Sequence, residues 1–295
     1  MKNKPRITVS RLIERIVLVF LLLITVFPFF WMLRTAFVAN ANIFSDSMSL
    51  IPKEPTIVNF KRVLGLSTTE ESLAAGGNGQ QLDFFLYLGN SLLFTAVVVA
   101  CQVTFSALAA YTFSRLRFRG RDALFTVFLS GMMIPPIFSM LPNFALVRSL
   151  GWIDSFAGIL APYLLITPFA IFFLRQFFLG ISREVEEAAR IDGAGRFQIL
   201  TRIVLPMASG PLTTLAIIQA VGAWNEYMWP QLVGRDDSVK LLNVAVAAFA
   251  KSSPNSQPDW AGLMAAASLQ VIPMLILLII FGKKIVSSLG FSGVK

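Results

Sequence analysis

An all-α polytopic membrane protein with six transmembrane helices is the fold class that this sequence predicts, on three observations. Hydrophobic residues supply 56% of the 295 positions and charged residues only 14%, well away from the roughly 45–50% apolar and 25% charged balance of soluble chains. The mean hydropathy is +0.71. The apolar residues also come in blocks: charge-free runs of 18 to 31 residues cover Ile16 to Leu33, Phe84 to Ser114, Ala123 to Val147, Ser155 to Leu174, Ile203 to Asn225 and Trp260 to Gly282. A helix rising about 1.5 Å per residue crosses the hydrocarbon in roughly 20 residues, so six runs predict six spans.

Taken in order, the predicted spans cover about 16–37, 84–113, 123–147, 155–176, 203–229 and 260–282 within one transmembrane domain, 1–295. The first run follows basic residues and precedes Ala39-Asn40-Ala41, which imitates a signal cleavage site. Its 18 residues exceed the roughly 7–15 of a secretory apolar region, and Arg34 follows it, so it reads as a retained helix. Val38 to Asp83 is polar and broken by Pro52 and Pro55, and its STTEESLAAGGNGQQ stretch lacks periodicity and reads as flexible connection. The second span holds the lone Cys101, which behaves as a small hydrophobe. Pro135-Pro136 and Pro168 are expected to kink the third and fourth spans, since each removes a backbone donor. A charged insert over 180–206 separates spans four and five. Beyond span five, Gln231 to Asp259 carries Asp236, Asp237, Pro254 and the apolar LLNVAVAAFA, which suits a short helix on the membrane surface.

Orientation follows from the cations. Of 25 basic residues, 17 lie before the first span, in 115–121, between spans four and five, or at the C-terminus. Short loops rich in Lys and Arg stay cytoplasmic, which puts both termini inside. The same rule absorbs the net charge of +9 and the RLRFRGR patch, so no nucleic-acid partner is implied. The chain has no histidine, one cysteine and no GxxxxGK[ST], because no lysine follows Gly76, Gly77 and Gly79. Cys/His metal sites and a P-loop for ATP are thereby excluded.

Within the insert, Ser182 suits an N-cap, and Glu184, Glu186 and Glu187 fall in the first turns, where the helix dipole favours negative charge. Gly193 after Asp192 supplies a stop that tolerates positive φ. A helix of about nine residues is too short to hold in water alone, so it wants a partner surface. A second helix, from about Gly195, is expected to end at Leu205-Pro206, the entry to span five.

Glu187-Ala188-Ala189, then Gly193, then Ile203-x-Leu205-Pro206 resembles the EAA loop of permease subunits of bacterial ATP-binding-cassette (ABC) importers. YTFSRLRFRGR at 111–121, MMIPP at 132–136, LGWIDSFAGILAPY at 150–163, AWNEYMWP at 223–230 and the terminal LGFSGVK extend the likeness. Together they are similar to the carbohydrate-uptake branch, in particular the second permease of maltose-type pairs. The resemblance implies the type I ABC importer permease fold in the bacterial cytoplasmic (inner) membrane, with no covalent chemistry of its own. It also implies a homologous second permease, an ATPase dimer that binds the ATP and Mg, an extracytoplasmic sugar-binding protein and surrounding lipid; no cofactor belongs to this chain.

Carried over by position, Glu187 would touch a basic residue of the ATPase, Ala188 and Ala189 would permit close approach, Asp192 and Gly193 would form the turn, and Leu205 and Pro206 would close the motif. The bland alternative is a solvated loop with Glu186 and Arg190 as an i,i+4 pair. The tail Ser287 to Lys295, with Gly290 and Gly293, either reaches between the ATPase subunits or frays. Trp224, Asn225, Glu226 and Tyr227 suit a sugar pathway, because rings stack on sugar faces while amide and carboxylate bond hydroxyls. They equally suit an interfacial aromatic belt. Two further readings remain: a proton-coupled secondary transporter with Glu226 as relay, and an ABC permease for a solute such as glycerol phosphate, against which stands the lack of evident pathway cations apart from Arg34 and Arg175 near span ends.

Overall fold

A computed structural model describes residues 9–46, 49–77, 79, 82–251 and 258–289. Residues 290–295, with Gly290 and Gly293 of the expected tail contact, lie outside the described residues. Among the described residues the architecture is helical and strandless, with one isolated bridge between Val38 and Pro55. Three helices are long and apolar enough to cross a membrane: Leu12–Ala36, Phe84–Arg115 and Trp260–Gly282. Three pairs qualify only when each is taken as one bent span: Arg121–Met133 with Pro136–Ser149 at 96°, Phe156–Tyr163 with Pro168–Gly180 at 47°, and Arg196–Met207 with Ser209–Val233 at 80°.

Two bends fall at the predicted prolines, as full breaks. Pro136 and Pro168 each open a new helix, where a missing N–H costs nothing, and the Thr167 hydroxyl caps the second by accepting the Ala170 N–H at 3.2 Å. The third bend falls at Ala208, past the Leu205-Pro206 expected to end the loop helix. The chain runs from Arg196 through a π turn at Leu200–Val204 and on to Met207. A wider turn relieves the clash that the Pro206 ring would make with the preceding α-helical turn, so the helix continues across it.

Contacts among the described residues group into two units, one within 1–85 and 245–272, the other within 86–244 and 273–295. In the first unit, the segment expected to be a flexible connection is folded where it is described. Helices form at Val58–Val63 and Thr69–Ala74, the latter closed by a capping box in which Thr68 and Glu71 each accept the other's backbone N–H at 3.2 Å. Polar side chains hold the irregular backbone. Asn59 donates to the carbonyls of Ala36 (2.9 Å) and Val38 (2.7 Å), while Asn40 donates to Gly76 (2.9 Å) and accepts the Ala261 N–H (3.2 Å). Arg62 and Asp259, distant in sequence, form a fully buried ion pair. A Cβ at Gly77 would come within 2.3 Å of the Arg62 guanidinium, so a larger residue there would have to displace the buried charge. Nearby, Arg34 pairs with Asp46 at 3.0 Å, and the Ser49 hydroxyl, the Lys53 amide and Arg34 hold the Asp46 carboxyl below the usual carboxylate range.

The second unit has two apolar cores. One gathers Tyr111, Phe113, Phe125, Leu174, Phe178, Ile199 and Leu215 beneath the charged insert. The other gathers Phe94, Val98, Val147, Ile159, Trp229 and Leu241. The apolar segment after span five is a helix, Leu242–Lys251, but Leu242 and Val244 are buried, so its start packs into the protein instead of resting on a surface. Just before it, the Lys240 ammonium and the Tyr87 hydroxyl hold the Asp237 carboxyl below the usual range.

Removing one partner of a buried ion pair strands the other charge, so Asp259→Ala is expected to lower stability by about 3–5 kcal/mol. Thermal unfolding of the detergent-purified protein measures this, and Arg62→Ala combined with Asp259→Ala should cost less than Asp259→Ala alone.

Candidate functional site

The Arg183–Ile191 helix begins where expected, with the Ser182 hydroxyl accepting the Glu184 N–H at 3.2 Å. It ends in a Schellman turn: Ala194 N–H donates to the Ala189 carbonyl (2.9 Å), Gly193 N–H donates to the Arg190 carbonyl (3.0 Å), and Gly193 takes φ +83°. At nine residues the helix borrows stability from packing, with Ala189 and Ala194 lying against the apolar core below.

Successive residues on a helix turn by about 100°, and that rotation separates two adjacent carboxylates. Glu186 points inward and is 2% exposed; Glu187 points out, as do Ala188, Asp192 and Gly193. Glu186 Oε1 lies 2.7 Å from Arg115 Nε, and Oε2 lies 3.9 Å from Arg190. The 2.7 Å contact lacks hydrogen-bond alignment, so charge holds it rather than a directed bond. Arg115 spends its Nη2 on two carbonyls, Phe178 at 2.5 Å and Ile181 at 2.7 Å. Arg175, expected only as a cation near a span end, stacks 4.2 Å over the Phe125 ring and donates to the Phe113 carbonyl at 3.3 Å. Beside the helix lies a cavity of about 520 Å³, lined by Arg115, Arg117, Arg183, Arg190 and Arg196 against Glu186 and Glu187.

The loop also presents apolar groups. Ile191 is 87% exposed and Phe197 71%, and Ile191 shares the outward stripe with Glu187 at i, i+4. Leu205 is half-buried against the core and Pro206 is exposed. Sequence reasoning passed over Arg115, Ile191 and Phe197. Arg115 stands out in the sequence only as the first cation after 31 charge-free residues, which marks orientation and not a contact.

The second predicted cluster is divided by the fold. Trp224 is buried and its carbonyl accepts from Asn243 at 2.7 Å; Asn225 is exposed and donates to the Val221 carbonyl at 2.8 Å. Glu226 and Tyr227 are half-buried. Glu226 Oε1 accepts the N–H groups of Tyr227 (3.2 Å) and Trp229 (3.5 Å). It therefore caps the Met228–Val233 helix. Trp229 Nε1 donates to the carbonyls of Gly158 and Ile159, each at 3.2 Å, which fastens the same break to the Phe156–Leu160 helix. A cavity of about 450 Å³ is lined by Met140, Met228, Gln231, Leu232, Arg235, Lys240 and Val244, with none of the four predicted residues among them. Among the described residues, no group of three or more His, Cys, Asp and Glu side chains is placed to hold a metal ion.

Bent helical segments apolar enough to span a membrane, beside a short loop helix that turns charged and apolar groups outward, define a membrane protein with a surface that a partner could cover. The chain belongs to the family of binding-protein-dependent transport system inner membrane components, whose model matches residues 102–290. It is 31% identical to the trehalose/maltose transport system permease protein MalG of Thermococcus litoralis over 92% of each chain. It is 29% identical to the arabinooligosaccharides transport system permease protein AraQ of Halalkalibacterium halodurans, over 94% of this chain and 93% of that one. The sn-glycerol-3-phosphate transport system permease protein UgpE of Brucella abortus is 27% identical, over 95% and 96%. A chain in the crystal structure of a bacterial ABC transporter involved in the import of the acidic polysaccharide alginate shares the fold, with a TM-score of 0.75 at 22% identity, over 96% of this chain and 99% of that one. The family is a transport component and not an enzyme.

A cap needs an acceptor, not a proton. Glu226→Gln keeps an acceptor oxygen and should leave both stability and uptake close to the parent, whereas Glu226→Ala should lose about 0.5–2 kcal/mol in detergent unfolding. Uptake abolished by Glu226→Gln would restore the proton relay.

Proposed function

We propose that this chain is a six-span permease subunit of an ATP-driven, binding-protein-dependent sugar importer, with both termini cytoplasmic. Each bent pair counts as one span, within a single transmembrane domain over 1–295. It forms half of the translocation pathway beside a homologous second permease, receives sugar from an extracytoplasmic binding protein, and is worked by an ATPase dimer through the loop 180–206. ATP and Mg belong to that ATPase.

One observation carries the coupling role: the Arg183–Ile191 helix buries Glu186 and turns Glu187, Ala188 and Ile191 outward, with none of the described residues over them. A charged rim around exposed apolar residues is what a protein partner covers. In this reading Glu187 meets a cation of the ATPase, Ala188 and Ala189 let the surfaces close, Asp192 and Gly193 set the turn, and Leu205 and Pro206 lead into span five. The sugar cargo is supported by the names of the MalG and AraQ relatives. The break at Trp224 to Tyr227 gives the pathway its rim, where exposed Asn225 contacts sugar and Glu226 holds the rim's shape.

An anionic cargo is the second reading, favoured by the UgpE relative and by Arg235 and Lys240 at the 450 Å³ cavity. Lys240 is already paired with Asp237, which leaves Arg235 alone to select charge. Retention of radiolabelled maltose, trehalose or glycerol 3-phosphate by the companion binding protein separates the two.

Glu187→Lys reverses the charge offered to the ATPase, and Gly193→Pro imposes φ near about −65° where the turn needs a positive value. Both variants should remain membrane-inserted by fractionation while uptake collapses. Unchanged uptake in both overturns the assignment.

A further inference from the structure

A helix pushed by a partner moves nothing in the membrane unless a stiff joint passes the push on. The covalent joint here is short and weak: only Ile181 and Ser182 separate the Pro168–Gly180 helix from the Arg183–Ile191 helix, and both lie outside helical structure. Left alone, two extended residues act as a hinge, so a push would swivel the small helix without shifting the spans.

We propose that Arg115 is the positioning residue that locks this hinge and carries the displacement into two spans at once, a role that rests on the coupling reading above. Arg115 ends the Phe84–Arg115 helix, and its side chain is 3% exposed. From there one guanidinium grips both sides of the hinge. Its Nη2 takes the Phe178 carbonyl at the end of one helix and the Ile181 carbonyl in the hinge itself, while its Nε faces Glu186, in the first turns of the next helix, at 2.7 Å. Three chain segments thus meet on a single rigid, planar group.

Arginine suits this position for a geometric reason. Its donors form a fixed fork, so hydrogen bonds to two carbonyls fix the direction of the group while its charge holds the facing carboxylate. Lysine would supply the charge but only one nitrogen, on a flexible stem. Burial strengthens the joint, since the Arg115 and Glu186 side chains are 3% and 2% exposed and water reaches them little. The neighbouring glutamates divide the labour: Glu187 faces out to be pushed and Glu186 faces in to transmit. Arg190, at 3.9 Å and half exposed, also faces Glu186 but lies on the same helix, so it ties that helix to nothing else.

The test uses the full complex with its companion permease and ATPase, on a Cys101→Ser background. Spin labels at Gln176→Cys and Glu184→Cys, both exposed and on either side of the hinge, report the inter-label distance by EPR with and without ATP and vanadate. With Arg115 present, the distribution should be narrow and unmoved by nucleotide, because the two helices travel as one body. In Arg115→Lys and in Glu186→Gln it should shift or broaden when nucleotide is added, as the hinge yields under load. A purely structural role would widen the distribution equally with and without nucleotide. That result, or a distribution as narrow and unmoved as the parent's in both variants, overturns the proposal. Should Arg115→Lys fail to assemble, Glu186→Gln, which keeps the side chain's size, decides alone. If the ATPase does not co-purify with the parent chain, the coupling reading itself falls; if it co-purifies and Glu187→Lys abolishes uptake while both variants stay rigid, only the joint falls.

Discussion

Backbone groups in hydrocarbon have no water to turn to, and an unpaired one costs several kcal/mol, which decides where this chain is allowed to bend. Three breaks in the second unit each come with a substitute for the lost helical bonds. At Pro135-Pro136 the prolines have no N–H to leave unpaired. At Thr167 the side-chain hydroxyl takes the Ala170 N–H. At Glu226 a carboxylate takes two N–H groups, and Trp229 reaches the carbonyls of Gly158 and Ile159. Breaks satisfied in this way are permanent features, with the geometry needed to line a path rather than merely fill a bilayer.

The same penalty orders the charges. Ionisable groups withdrawn from water are found in pairs: Arg34 with Asp46, Arg62 with Asp259, and Arg115 with Glu186. Each pair ties segments that are apart along the chain, at the end of a long apolar helix or beside one. Pairing of this kind contributes less to raw stability than to choosing one arrangement over others, because a misplaced segment would strand a charge.

Local signals in the sequence were legible and long-range ones were not. Six apolar runs, the Ser182 cap, the Gly193 turn and the breaking prolines all act over a few residues, and each can be read from the chain directly. Arg62 and Asp259 are separated by 197 positions, and nothing local to either announces the other. The segment after the first span had no periodicity because polar side chains, not an apolar stripe, organise it; Asn40 and Asn59 look like ordinary loop residues until their backbone partners are known. Glu226 reads from the sequence as an ionisable group at depth, while the backbone N–H groups it accepts become visible only in the fold. The π turn before Ala208 was invisible for a related reason, since it arises from how the chain accommodates Pro206.

Ile191 and Phe197 stand almost bare on the loop that the coupling proposal gives to a partner. On that proposal, a copy made in excess of its companions would show water the greasy side chains that an assembled copy hides, the very feature that chaperones and proteases grip. Balanced synthesis of the subunits is then a physical requirement of the surface, and unassembled copies would be the first to be cleared.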